Sequence, residues 1–333
     1  MKYIYDDLAE KKILITGGAG FIGSNLAFYL QKHHPQAKVY VFDKFRSDEC
    51  FPSGNPTSLG HFKNLIGFQG EVMVGDINNP ADLEKLSKLD FDIIFHEAAI
   101  SDTTVLNQEL VMKTNHEAFL QLLEIARDSR ASMIYASSAG TYGNSPAPNV
   151  VGSGEVPENV YGYSKLQMDI SVRKIIESNP KQHIVGLRYF NVYGGREYYK
   201  GKTASMILQL GLQALKNKKV RLFKYGEQLR DFVYIKDVVQ ANIKAIESEK
   251  SGIYNVGSGK AQSFNDIITH LKEGLGDFEV EYFDNPYSFY QMHTEADISS
   301  AREDLSYEPR FFLKEGVADY IDEIKALHKQ YGA

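Results

Sequence analysis

Tyr161 and Lys165 stand four residues apart in the stretch Asn159-Val160-Tyr161-Gly162-Tyr163-Ser164-Lys165. On a helix that spacing puts both side chains on one face. A lysine ammonium beside a phenol favours the ionised phenol. An isolated phenol ionises only near pH ~10, so the lysine is what would make the tyrosine a usable proton acceptor. The pattern alone is also that of an ordinary exposed helical turn. It gains weight from what precedes it.

The elements that must position this pair begin with Lys12–Thr16, a short apolar run of the kind that forms a buried parallel strand. It enters Gly17-Gly18-Ala19-Gly20-Phe21-Ile22-Gly23 and then a helical pattern, Ser24–Lys32. In a strand–turn–helix of this form Gly17 allows the tight turn, Gly20 lets a pyrophosphate approach the backbone, and Gly23 lets helix pack on strand. Free N–H groups at the helix start attract the negative charge. A second strand, Lys38–Phe42, ends in Asp43, twenty residues beyond Gly23, where a carboxylate would take the ribose hydroxyls of an adenine dinucleotide. Asp43 argues for NAD. Lys44 and Arg46 beside it argue for NADP, whose 2′-phosphate they could bind. Residues 47–60, with Pro, Gly and Ser, read as a loop that could cover the cofactor.

Further units follow. Glu71–Gly75 is a strand with Asp76-Ile77 at its end, and Phe91–His96 is another, closing in Glu97-Ala98-Ala99-Ile100. Val105–Asp128 is predicted as one long helix containing Asn115, and Ser132–Ser137 and His183–Arg188 are strands. Strands alternating with helices predict an α/β fold, a doubly wound parallel sheet of the Rossmann type. Ligand then lies beyond the carboxyl ends of the strands, where the glycine turn, Asp43, Asp76, Ala98 and Ser138 all fall. His96 reads as a strand-end packing residue rather than a base. The nine histidines carry no His-Glu-x-x-His pattern and there is no cysteine pair, so no metal is expected.

The 333 residues suffice for two domains, and we expect a dinucleotide-binding domain over 1–190, completed by segments near 231–258, and a substrate lobe over 191–333. In that lobe the βα rhythm breaks. Thr203–Asn217, Phe264–Glu273 with Ser263 as N-cap, and Leu313–Tyr331 read as helices, and Val220–Phe223, Asp231–Ile235, Ile253–Gly257 and Glu279–Phe283 as strands. A net charge of −6 argues against nucleic acid or an anionic membrane as partner. One cysteine, Cys50, permits no intrachain disulfide, and no apolar run approaches a bilayer span, so a cytoplasmic protein is expected.

Taken together, Phe95-His96-Glu97-Ala98-Ala99, Ser101-Asp102-Thr103-Thr104, Tyr135-Ala136-Ser137-Ser138-Ala139, the Tyr161–Lys165 stretch, Arg188-Tyr189-Phe190-Asn191-Val192-Tyr193-Gly194 and Arg230-Asp231-Phe232-Val233-Tyr234 resemble the extended short-chain dehydrogenase/reductases. Among these they are most similar to the ADP-glycero-manno-heptose 6-epimerase family of lipopolysaccharide core heptose biosynthesis. The resemblance spans nearly the whole chain. It implies a pyrophosphate site at Gly17, Gly20, Phe21, Ile22 and Gly23, adenosine contacts at Asp43, Lys44, Asp76 and Ile77, and cofactor-lining roles for His96, Glu97, Ala98, Ala99, Ile100, Asn115 and Val192. It implies a catalytic set of Ser138, Tyr161 and Lys165, the last also on the cofactor, with Lys200 as second acid/base. Asn191, Lys202, Gln209, Phe223, Lys224, Tyr225, Gly226, Arg230 and Tyr290 are implied to meet an ADP-heptose sugar nucleotide. NADP, with NAD as alternative, and a homo-oligomer, in that family a pentamer, are also implied. The chain departs from the family at Lys202-Thr203-Ala204-Ser205 and at Gly195, which touches the substrate pocket rather than the chemistry.

Inverting an unactivated secondary alcohol carbon has no easy direct path, whereas oxidation to a ketone makes the carbon planar. A ketone reduced from its other face points its oxygen elsewhere and needs a second proton donor. Lys200 suits that role if burial lowers its basicity. A dehydratase would carry an acid after the active-site serine, where Ala139-Gly140 stand. A UDP-hexose 4-epimerase shares Ser138, Tyr161 and Lys165 but does not need Lys200. Ser138, Tyr161 and Lys165 occurring together speak against a non-catalytic dinucleotide sensor.

Overall fold

The computed structural model describes residues 2–4, 8–284 and 292–332. Through the first half, strands and helices alternate: β1 Lys12–Thr16, α1 Phe21–His33, β2 Lys38–Asp43, β3 Glu71–Val74, α2 Pro80–Ser87 and β4 Ile93–His96. Then come α3 Gln108–Met112, a π-helical turn Lys113–Glu117, α4 Ala118–Ser129, β5 Ser132–Ser138, α5 Val160–Ser178 and β6 Ile184–Tyr189. These strands pair in parallel in the order β6-β5-β4-β1-β2-β3, as a doubly wound sheet requires. Every residue of β4 and β6 is buried, which is why both read as continuous apolar runs.

The second half supplies β7 Asn191–Tyr193, α6 Met206–Asn217, β8 Lys219–Phe223, β9 Leu229–Tyr234, α7 Ile235–Glu247, β10 Gly252–Val256, β11 Ala261–Ser263, α8 Phe264–Leu275, β12 Glu279–Phe283, α9 Ser299–Leu305 and α10 Leu313–Tyr331. Strand β10 returns to the large sheet and pairs in parallel with β6 as its seventh strand. Helix α7 packs beside α1, and the apolar faces of both, with Leu26, Leu30, Val238 and Val239, bury one side of the sheet. Leu83 and Leu86 of α2, Phe119 and Leu122 of α4, and Met168 and Val172 of α5 bury the other. The first of these cores continues into the smaller lobe through Tyr193, Ile207, Leu271 and Ile324. That lobe holds the short sheets β11-β9-β7 and β12-β8 against α6, α8 and α10. Ser263 caps α8 in a full capping box with Asp266, as its sequence position predicts.

The helix predicted over 105–128 differs in detail. It starts at Gln108, where the Asn107 side chain accepts from Leu110 N at 3.0 Å, and it widens to π geometry at Lys113–Glu117. Such widenings occur where a helix must turn one side chain inward. Here the residue is Asn115, fully buried, whose amide bonds Ile100 through both its N–H and its carbonyl and also reaches Ser164 Oγ at 3.0 Å.

Candidate active site

Beyond the end of β1 the chain turns through Gly17 at φ +69°, a conformation side chains rarely adopt. A Cβ on Gly17 would lie 2.7 Å from Ala98 N, and one on Gly23 would lie 2.4 Å from the Gly17 carbonyl oxygen. No side chain caps α1 at Gly20. Its first-turn N–H groups therefore lack a side-chain acceptor at the mouth of a cavity of about 490 Å³ lined by Gly17, Gly20, Phe21, Ile22 and Gly23. A concave, uncapped helix start of this kind suits a diphosphate.

At one end of the cavity lie Asp43, Lys44, Asp76 and Ile77, from the ends of β2 and β3. Asp43 is buried. Its Oδ2 accepts from Ala19 N at 2.9 Å and its Oδ1 from Phe45 N at 2.7 Å, so the carboxylate braces the glycine turn against β2. Lys44 pairs with Asp76 at 3.1 Å. Arg46, expected beside them, instead gives its guanidinium to the Tyr199 carbonyl and borders a different cavity. The large cavity also reaches Tyr189 at the end of β6. From β2 to β6 is four strand spacings, about 19 Å, which accommodates an extended dinucleotide. The crevice crosses β1 and β4, where the strand order reverses, the usual ligand site of such sheets. Ala98, Ala99 and Ile100 line it there, and Glu97 and Val192 do also.

At the other end the cavity is lined by Ser138, Tyr161, Lys165 and Lys200. Ser138 closes β5, and its Oγ accepts from Gly140 N at 3.0 Å and hydrogen-bonds to Tyr161. Tyr161 lies in the first turn of α5, which Asn159 caps by accepting from Gly162 N at 2.9 Å. Lys165 follows one turn on, buried, with Nζ donating to the Ala136 carbonyl at 2.7 Å. The spacing does put both side chains in one site, but the expected easing of phenol ionisation is not what the chain's own groups produce. Burial pushes the Tyr161 phenol up, the Ser138 hydrogen bond opposes this, and the nearby Glu97 carboxylate adds to it. Lys165 is not among the groups that shift the phenol, and its Nζ donates to Ala136. Burial lowers its ammonium to about 8, against the opposing fields of Glu97 and Asp169.

Lys200 sits in a 3-10 segment, Tyr198–Thr203. Its ammonium lies 5.3 Å from the centre of the Phe21 ring, half-buried. Burial lowers its basicity, and Glu197 opposes that shift. Glu197 is fully buried and clasps the segment from both sides, accepting from Gly194 N at 3.1 Å and from Ser205 N at 2.7 Å. Tyrosines hold the segment outwardly. Tyr199 stacks on His61 at 3.8 Å and hydrogen-bonds Tyr331 of α10 at 2.7 Å, while Tyr198 stacks on Tyr331 at 4.7 Å.

Several residues expected in the site stand elsewhere. His96 is wholly buried outside the cavity wall, with Nδ1 on Thr16 Oγ1 at 2.8 Å and its ring against Phe119; burial lowers it to about 3, so it stays neutral. Asn115 lies behind the wall, tying Ile100 to α5. Asn191 is exposed on β7, and Lys202 is exposed beside Lys200. Gln209 bonds the Ala204 carbonyl at 2.7 Å and borders a second cavity of about 310 Å³ with Arg46, Tyr198 and Tyr199. Phe223 packs edge-on to Phe283, Lys224 pairs with Asp284 at 2.9 Å, and Tyr225 and Gly226 lie beside Asn265. Arg230 is buried, donates to the Leu229 carbonyl and faces the Phe264 ring. None of these lines the large cavity, and Tyr290 lies outside the described residues. Thr203, Phe190 and Tyr189 do line it, although the spacing of residues pointed to none of them. No cluster fit for a metal occurs among the described residues, and no helix among them is long and apolar enough to cross a membrane.

Residues 13–257 match the NAD dependent epimerase/dehydratase family. The chain is similar to the ADP-L-glycero-D-manno-heptose-6-epimerase of Helicobacter pylori, with 60% identity, 98% of this chain and 100% of that chain covered, and a TM-score of 0.92. It is similar to the UDP-glucuronic acid 4-epimerase of Bacillus cereus, whose structure carries UDP-glucuronic acid and NAD, at 30% identity over 95% of this chain and 99% of that one, TM-score 0.80. A UDP-N-acetylglucosamine 4-epimerase from Methanobrevibacter ruminantium M1 matches at 28% identity over 96% and 99%, TM-score 0.84. With a family match over most of the length, a glycine cradle fitted to a dinucleotide and a Ser-Tyr-Lys set at its far end, the chain belongs to the NAD dependent epimerase/dehydratase family.

Proposed function

We propose that the protein inverts C6 of an ADP-glycero-manno-heptose through a transient ketone, with Tyr161 and Lys200 as the two acid/base groups. The observation that carries this reading is one cavity lined by both of them, with Ser138 and Lys165 beside Tyr161. The 60% identity to the Helicobacter pylori enzyme supports the choice of sugar nucleotide.

A nicotinamide dinucleotide held by the glycine turn and the cavity wall would supply the hydride acceptor and donor. The rest falls to the chain. Tyr161 takes the hydroxyl proton as the carbonyl forms, and Ser138 hydrogen-bonds the reacting oxygen as its charge changes. Lys165, charged, would favour the phenolate of Tyr161 that accepts this proton, and would go on facing the neutral phenol once the proton is taken. The re-formed hydroxyl on the opposite face needs its own proton donor, and Lys200, carried by a different lobe, fills that place. A 4-epimerase reading accounts for Ser138, Tyr161 and Lys165 and leaves the partly desolvated Lys200 without a task.

NADP is the favoured dinucleotide, on Lys44 in the cavity wall and on Asp43, whose two oxygens already accept backbone N–H groups. Arg46 adds nothing to that preference. Incubation with one ADP-heptose epimer, followed by chromatography, should give a mixture of both; no second epimer would reject the reading. Mass spectrometry of the denatured protein should release NADP, and release of NAD alone would reverse that part.

A further inference from the structure

Lys200 comes from the second half of the chain, whereas the turn fitted to a diphosphate, Gly17–Gly23, follows the first strand. A proton carrier serves hydride chemistry only in register with the dinucleotide, and a misplacement of about 1 Å can cost about 10²-fold. Tyr161 takes its register from α5, which packs on the sheet. Lys200 stands in a short 3-10 segment with no strand to fix its place. Glu197 does not supply the register either. Its partners Gly194 and Ser205 belong to the same stretch, so it sets the shape of that stretch rather than its position.

A second 3-10 turn, Phe62–Leu65, joins the two sites. It follows the cavity-lining residues Thr57, Ser58, Leu59 and Gly60. On one side it grips the glycine turn: the carbonyl of buried Ala19 accepts from His61 N at 3.0 Å and from Asn64 Nδ2 at 3.1 Å. On the other side it grips the stretch that carries Lys200. The His61 and Tyr199 rings stack with centroids 3.8 Å apart and planes 4° from parallel. The Asn64 carbonyl accepts from the Arg196 guanidinium. His61 Nδ1 accepts from Lys63 N at 3.2 Å, which caps the turn and fixes the plane of the ring.

Tyr199 directly precedes Lys200, so the stacked ring fixes the backbone from which the lysine side chain starts. The Arg46 guanidinium on the Tyr199 carbonyl adds a hold at the same point. Asn25 of α1 donates to the Gly195 carbonyl at 2.9 Å and anchors the start of the stretch, leaving its tip to His61 and Arg46. Held this way, the Lys200 ammonium stands 5.3 Å from the centre of the Phe21 ring, in the first turn of α1. We propose that His61 is a positioning residue for the epimerisation: stacked on Tyr199 and hydrogen-bonded to Ala19, it holds Lys200 in register with the dinucleotide site. The proposal rests on the reading of Lys200 as the second acid/base.

Two substitutions separate the ring from the cap. His61→Asn keeps a side-chain acceptor for Lys63 N and removes the ring, whereas His61→Phe keeps a ring and removes the acceptor. Both keep the backbone N–H to Ala19. In the full chain without substrate, hydrogen exchange read by mass spectrometry follows peptides covering 198–203. Exchange there should rise by about 3- to 10-fold in His61→Asn, stay at the parent level in His61→Phe, and be unchanged in α5 in both. Stopped-flow absorbance with each ADP-heptose epimer then follows transient reduction of the cofactor. His61→Asn should slow this by about 10- to 10²-fold with one epimer only, and kcat should fall with KM little changed. Tyr199→Leu should reproduce His61→Asn, and the double variant should add nothing to either, as for two groups acting through one contact.

Unchanged exchange over 198–203 in His61→Asn overturns the proposal. Equal slowing with both epimers also overturns it, as does a loss in His61→Phe as large as in His61→Asn, which makes His61 a cap alone. Faster exchange over 198–203 in a protein that reduces its cofactor with neither epimer upholds the His61–Tyr199 tie and rejects the substrate reading instead. Should His61→Asn not fold, Tyr199→Leu decides by the same exchange.

Discussion

Arg188 and Asp169 form an ion pair with no solvent exposure on either side chain, Nε to Oδ2 2.8 Å, one helical turn beyond Lys165. Asp169 also accepts from Tyr135 at 2.7 Å and Ser137 at 3.0 Å, so α5 is bolted to β5 and β6 by a single carboxylate. Removing it leaves a buried guanidinium with Glu155, at 2.8 Å, as its one carboxylate partner among the described residues, over the Tyr142 ring. Asp169→Ala should therefore cost about 3 kcal/mol or more, the range for half of a buried pair. Urea unfolding should show a lower midpoint, and an unchanged midpoint would contradict the bolt.

Glu155 gives this network a pH signature. Burial would raise its carboxyl, but Arg173 at 2.6 Å and Arg188 hold it down to about 2, below the ordinary 4.5. A folded-state value below the unfolded one contributes stability above pH ~4.5 that is lost as the pH falls towards 2. Glu155→Gln should lie below the parent in stability near neutrality and approach it through that window. Thermal melts from pH 7 to 3 would display the converging curves.

Tyr161→Phe removes the hydroxyl proposed as proton acceptor and leaves the glycine cradle untouched. Epimerisation should fall by about 10²- to 10⁴-fold, the usual yield of general acid–base catalysis, with dinucleotide still released on denaturation. Rates within twofold of the parent would remove Tyr161 from the scheme.

Lys200→Met should cost a similar factor, about 10²- to 10⁴-fold. The distinguishing measurement is cofactor absorbance. If Lys200 serves one face of the ketone only, the variant should still reduce its cofactor with the epimer served by Tyr161. Full-rate equilibration of both epimers would return Lys200 to the surface lysines.

The parallel sheet and the glycine cradle were legible because their signals are local: an apolar run, glycines three apart, an acid at a strand end. Tyr161 and Lys165 were legible by helical spacing. Their electrostatics were not, because the groups that set them, Glu97, Asp169 and the Ala136 carbonyl, come from other elements. Spacing likewise gave Asn115 a helix but not the π turn that points it at Ile100 and Ser164. Tyr189 acquires meaning only once α7 brings Asn242 beneath it, from more than fifty residues away. Arg46 shows the converse: its neighbours in sequence suggested a phosphate, and its neighbour in space is a carbonyl of the Lys200 segment.

The tyrosine cluster around Lys200 has a mechanical consequence. Tyr161 stands in the first turn of α5, a helix packed on a sheet buried on both faces, whereas Lys200 is held by Glu197 and by rings near the surface, one of them in the last turn of α10. Segments secured so differently open at different free energies. Mild denaturant or the loss of that final turn should therefore slacken the Lys200 segment while Tyr161 stays rigid, and on the proposed scheme the reaction would then begin on one hand of the sugar and seldom finish on the other.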